Sequence, residues 1–164
     1  MVGEEYLRVV RERVSRLKKT AEDAIAQVSD SNLFWKEHEG MNSIAVLVKH
    51  MSGNMISRWT DFLTTDGEKP NRNREGEFCQ HFSGRHDMMQ CWESGWNVFL
   101  NELSKLTPDD LLQVITIREE EHTVIEAIER QSDHYAYHVG QIVFIAKLLV
   151  EEDWKTLTIA RVEV

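Results

Sequence analysis

Residues 133–142 read DHYAYHVGQI, with His134 and His138 four positions apart. On a helix, side chains at i and i+4 leave the same face about 6 Å from one another. At that separation two imidazoles can share one metal ion, each at roughly 2.0–2.1 Å. Two donors rarely hold an ion alone, so a third must reach the same level from another helix. His50, in LVKHMSGNM, is the candidate. It falls on the inward stripe of a second amphipathic segment, and facing helices can slide until the heights match.

The neighbours of these histidines strengthen the pattern. Gln131 and Gln141 share the inward stripe with His134 and His138, and Asn54 follows His50 by one turn. Each such group buried without a partner costs about 1–3 kcal/mol. Their concentration at one level points to a polar site inside the apolar core. The competing reading is a set of histidines hydrogen-bonded within an ordinary core.

Other metal motifs fit less well. Tyr135 stands where HExxH would place its glutamate, which argues against a zincin protease. A di-iron carboxylate bundle needs two ExxH motifs and two further glutamates. Only one ExxH is found, Glu119 to His122. In a triad of two histidines and one carboxylate, Asp133 would point about 100° from His134, and Asp61 would lie about 16 Å along the helix from His50. His38, His81, His86 and His122 read as surface residues of loops and helix starts, with His81 or His86 able to swing in from a connection. Gly140 reads as a close helix contact, or as room beside the ion. Tyr135 and Tyr137 read as packing at the border of the histidine face.

Four helices must position these residues. In 3–28, Leu7, Val10, Val14, Leu17, Ala21, Ala24 and Val28 recur in alternating steps of three and four, a continuous helical stripe. Asn42 and Ser43 are good caps for a second helix running to about residue 63. Its stripe, Val46 or Leu47, His50, Asn54, Arg58, Phe62, is polar in the middle, which a plain core face would avoid. Residues 64–82 hold Gly67 and Pro70 and keep no period. That is too long for a tight turn, and reads as a crossover that lets helices two and three run parallel. The third helix covers about 84–106 on Met89, Trp92, Trp96, Phe99, Leu103 and Leu106. Thr107 and Pro108 then start a further short turn, and VITIR (114–118) is extended. Thr123 and Glu126 form a capping box that opens the fourth helix, running to about 150. Its inner stripe is Ala127, Gln131, His134, His138, Gln141 or Ile142, Ile145 and Leu148. A short extended segment is expected after Trp154.

The bulk properties suit one domain over 1–164: 164 residues, 41% apolar and 29% charged. No apolar run approaches the roughly 20 residues of a membrane span. The charged start, MVGEEYLRVV, lacks a signal-peptide core, so a cytoplasmic location is expected. A net charge of −9 argues against a nucleic-acid partner. ERVSRLKK is interleaved with apolar residues and reads as a solvated helix face. Cys79 and Cys91 form no CxxC and are expected to be reduced.

LVKHMSGNM, a long crossover and HYAYHVGQI, in this order, resemble the DinB/YfiT-like superfamily, and the likeness extends over nearly the whole chain. The resemblance implies an all-α, four-helix bundle of up-down-down-up topology with the long crossover between helices 2 and 3. It implies a divalent metal, nickel or zinc, on His50, His134 and His138, and a homodimer. Some members of the superfamily transfer low-molecular-weight bacterial thiols or use one as a cofactor in isomerisation.

Three neutral imidazoles would leave a position open, as catalytic sites do, and the full charge on the ion. A thiol reaching it would lose its proton and could attack an electrophilic small molecule, with Asn54, Gln131 and Gln141 orienting ligands. The alternatives are a metal-dependent hydrolase and a non-enzymatic metal-binding bundle.

Overall fold

The computed structural model describes residues 2–79 and 82–159. Among the described residues the chain is mostly helical, with one two-stranded sheet. Helix α1 (Val2–Ile25) buries Leu7, Val10, Val14, Ala21 and Ala24 along the expected stripe. Helix α2 (Ile44–Trp59) starts where the Ser43 hydroxyl accepts the Val46 N–H. It stops at Thr60, whose backbone is extended, and Asp61 then turns into the left-handed region at φ 49°. On α2 the polar stripe stays inside: His50, Asn54 and Arg58 are all buried.

The connection that follows is not featureless. It contains the short helix α3 (Arg74–Glu77), capped by the Asn73 side chain on the Gly76 N–H. Only four residues long, it has no period for a sequence to display. Helix α4 (Arg85–Lys105) buries Trp92, Trp96, Phe99 and Leu103, the stripe expected for it. Thr107 and Pro108 open a single 3-10 turn, Pro108–Asp110.

VITI forms strand β1 (Val114–Ile117), as its composition suggests. Its partner β2 (Glu120–Thr123) reads EEHT, too polar to announce a strand. The two are joined by Arg118 and Glu119, both at positive φ (56° and 65°), positions that usually favour glycine or asparagine. The Asp66 carboxylate holds them there by accepting the N–H of Arg118 at 2.9 Å and of Glu119 at 2.8 Å. The connection after α2 is thereby pinned to the hairpin. Thr123 ends β2 and caps α5 (Val124–Val150) in a complete capping box with Glu126.

Helix α2 packs chiefly against α4 and α1 against α5, while α2 also meets α5. The core centres on Trp59, Trp92, Trp96, Phe99 and Tyr135, all fully buried. Two expectations change. Leu148 is exposed rather than on the inner face of α5. Residues 154–159 form no strand, and the rest of the expected extended tail lies outside the described residues. Among the described residues no helix is long and apolar enough to cross a membrane.

Candidate metal centre

The three histidines come from two helices that meet. The His134 Nε2 lies 3.2 Å from His50 Nε2 and 3.0 Å from His138 Nε2. One ligating atom from each lies within 4.8 Å of the others. His50 and His138 are buried and His134 is half-buried.

The far nitrogens of two rings are already assigned. His50 Nδ1 is 2.9 Å from Glu77 Oε2. Arg72 grips the same carboxylate from the other side, Nε to Oε1 and Nη2 to Oε2, both at 2.8 Å. Burial alone would raise the Glu77 pKa, but the hydrogen bonds to His50 and Arg72 and the charge of Arg72 hold it below its ordinary value. An ionised Glu77 accepts, so His50 Nδ1 carries the proton and Nε2 presents a lone pair. His138 does the same against Gln141, whose Oε1 is 2.8 Å from Nδ1. Gly53, one turn after His50, makes room for this arrangement, since a Cβ there would collide with the Glu77 carboxyl.

Two lone pairs are therefore aimed at His134 Nε2. A neutral His134 could offer one proton to one of them and nothing to the other. Protonating His134 is disfavoured: burial, then the neighbouring His138 and His50, then Arg72 and Arg58, push its pKa down to about 3. Burial likewise lowers His138, against the Gln141 hydrogen bond. Two of the three nitrogen separations, 3.2 and 3.0 Å, are close to what a tetrahedral ion at roughly 2.0–2.1 Å from each donor requires, and the third donor pair lies within 4.8 Å. The donor set fits a divalent cation, and these buried histidines can hold one.

The surroundings close some sides and leave one open. Phe78 stacks on the His50 ring with centroids 4.8 Å apart, and Tyr137 sets its ring edge-on to His138 at 5.2 Å. On the open side lies a cavity of about 230 Å³. It is lined by His50, His134, Asn54 and Gln131, and by Arg58, Arg72, Arg74, Arg118 and Arg130.

The other residues singled out in the sequence are distributed as follows. Gln141 touches His138. Asn54 lines the cavity, but its Oδ1 accepts the Tyr135 hydroxyl at 3.1 Å, and that oxygen accepts the Trp59 indole N–H at 3.1 Å. Gln131 is buried at the cavity, and its Oε1 has no partner among the described residues. His38 and His86 are exposed, and His122 is half-buried on β2 beside Arg130. His81 lies outside the described residues. Gly140 makes no close helix contact, because a Cβ there would meet nothing within 4 Å. It borders a separate cleft of about 510 Å³ with Tyr137, Gln141 and Phe144. Glu77, Arg72 and Phe78 escaped sequence reasoning. They sit in the connection that carries no period, and only the general need of a ligating histidine for an acceptor on its far nitrogen hints that such a residue exists.

Residues 1–163 match the model of a family described as "Protein of unknown function (DUF1572)". Comparison with functionally curated proteins gives no match.

Proposed function

The chain belongs to the DUF1572 family, and from that premise we propose that it is a metal-dependent enzyme that transfers a low-molecular-weight thiol to an electrophilic small molecule. Convergence of three imidazole nitrogens beside an open cavity carries this reading. We take the fold as a DinB/YfiT-like four-helix bundle, with α1, α2, α4 and α5 running up-down-down-up. His50, His134 and His138 are the proposed ligands, and nickel or zinc suits three neutral imidazoles. When bound, such an ion would supply Lewis acidity that makes an incoming thiol acidic enough to release its proton to solvent.

The residues of the chain have separate tasks. Glu77 and Gln141 fix the ring orientations of His50 and His138. Phe78 covers His50 on one side and keeps water from that face. Among the described residues, the cavity wall contains arginine, histidine and amide side chains, and no carboxylate. Glu77 is close by but already engaged by Arg72 and His50. A nucleophile that loses its proton on binding suits a wall without a general base. On α5, the exposed Tyr137, Phe144 and Leu148 supply an apolar stripe that supports a homodimer.

Metal analysis of untagged protein tests the site, and loss of free thiol against a panel of electrophiles tests the reaction. Stoichiometric metal, and thiol consumption that disappears in His50→Ala, are expected. Ester hydrolysis without thiol would replace the reading with a hydrolase. Metal that raises only the melting temperature, with no turnover, would leave a non-enzymatic binding protein.

A further inference from the structure

The open side of the histidine cluster is walled by five arginines in a chain of net charge −9. Such a chain has no general reason to gather guanidinium groups around one small cavity. The wall is built from distant parts of the sequence: Arg58 on α2, Arg72 and Arg74 in the connection and α3, Arg118 at the hairpin turn, Arg130 on α5.

Arg58 is the telling one. It is 3% exposed, and its Nε and Nη1 find no hydrogen-bond partner among the described residues. An arginine does not shed its proton, so a charged group stays buried with donors unused. Its nearest carboxylate is Glu68, at 3.7 Å from Nη2. Glu68 also serves Arg72 at 3.2 Å and Arg118 at 3.2 Å, so one carboxylate is spread over three guanidiniums. A second carboxylate behind the wall, Glu77, is spent on Arg72 and His50. Among the described residues, Arg74 meets an acid only at the exposed Glu75, at 3.4 Å, and otherwise lies over the Phe78 ring, while Arg130 faces His122 rather than an acid. The cavity therefore has surplus positive charge and unused donors at its buried end.

We propose that this cavity is an anion subsite, and that the molecule acted on at the histidine centre carries a carboxylate or phosphoryl group held by Arg58, with Arg130, Arg118 and Arg74 toward the mouth. Guanidinium groups match the two-oxygen edge of both anions. The volume, about 230 Å³, admits a small acid and little more. Gln131 adds a buried acceptor, without a partner among the described residues, for a hydroxyl or N–H of the same molecule. This deepens the enzymatic reading above and rests on it for the reaction, but not for the binding.

The test measures binding, by calorimetry, to the full-length protein in zinc-loaded and chelator-treated forms. The probes are succinate, inorganic phosphate and the neutral isostere succinamide. Both forms are expected to bind at least one anion and to ignore succinamide. Tighter binding of succinate would assign a carboxylate substrate, and tighter binding of phosphate a phosphoryl one. Arg130→Gln, at an exposed position that the fold tolerates, should weaken the preferred anion by about tenfold or more, and Arg58→Met should abolish it. Equal binding of succinate and succinamide, or anion affinity unchanged in Arg130→Gln, would overturn the proposal. Anion binding confined to the zinc form would also overturn it, since the anion would then sit on the ion. Anion binding without thiol turnover would keep the subsite and defeat the transferase reading alone.

Discussion

Glu77 Oε2 lies 2.9 Å from His50 Nδ1, although 27 positions of chain separate the two residues. The contact depends on the connection between α2 and α4 folding back over α2. It leaves His50 Nε2 as a lone-pair donor directed at the other two rings. Glu77→Gln keeps the shape but removes the charge, so the acceptor behind His50 Nδ1 is weaker, and the amide NH₂ replaces one oxygen that accepted from Arg72 or His50. Metal affinity should fall by about 10–100-fold, the usual cost of losing a carboxylate behind a ligating histidine. Competition against a chromophoric chelator measures this directly. Gly53→Ala should weaken binding in the same direction, because the added Cβ displaces the same carboxyl. Unchanged affinity in both variants would mean that Glu77 plays no part in positioning His50.

Tyr135 separates the structural role of Asn54 from a role in the site. Its buried hydroxyl accepts from Trp59 and donates to Asn54. Tyr135→Phe leaves an indole N–H and an amide oxygen without partners, at about 1–3 kcal/mol for each buried group. Denaturant unfolding should show that loss while metal affinity stays at the wild-type value. A drop in metal affinity larger than the drop in stability would instead tie Asn54 to the histidines.

The histidine triad was legible because it obeys helical period: His134 and His138 are one turn apart, and His50 lies on a stripe whose polar middle breaks the core pattern. The caps at Ser43, Thr107 and Thr123 were equally readable, since each uses a side chain within three residues of its own position. What escaped depends on contacts far apart in sequence and without period. Glu77 reaches His50 from a four-residue helix. EEHT becomes a strand because VITI lies beside it and Asp66 fixes the turn between them, not through any propensity of its own. The five arginines scatter along the sequence and become a cavity wall only when α2, the connection, the hairpin and α5 converge.

Asp66 gives the fold a defined acid sensitivity. Burial alone would raise its pKa, but backbone N–H bonds from Glu119, Glu68 and Arg118 lower it from 3.8 to about 2. A carboxyl with a depressed folded pKa contributes its full stabilisation above its unfolded value, near 4, and loses it as pH falls toward 2. Asp66→Asn puts an amide NH₂ where one oxygen accepted a backbone N–H. The variant should be less stable than wild type at neutral pH. The gap should narrow between about pH 4 and pH 2, as the wild-type carboxyl itself takes up a proton. Urea midpoints at pH 7 and pH 3 provide the check. A gap that is the same at both values would show that charge on Asp66 does not hold the hairpin.

Two helical glycines should respond in opposite senses to the same substitution. Gly95 lies on α4 where an added Cβ would come 2.6 Å from Ser52 Cα, a backbone atom of α2. Ser52 cannot retreat freely, because its hydroxyl donates to the Cys91 carbonyl at 2.6 Å. Gly95→Ala must push the two helices apart and should cost about 1–3 kcal/mol, as overpacked cores do. Ser52 is two residues from His50, so the same shift should weaken metal binding. Gly140 has open space at its Cβ position and helical backbone on both sides. Gly140→Ala should raise stability by up to about 1 kcal/mol, through helix propensity alone, with metal affinity unaltered. Thermal unfolding of both variants, with and without zinc, decides the matter. Destabilisation by Gly140→Ala would mean that the cleft beside Gln141 holds something an alanine methyl displaces.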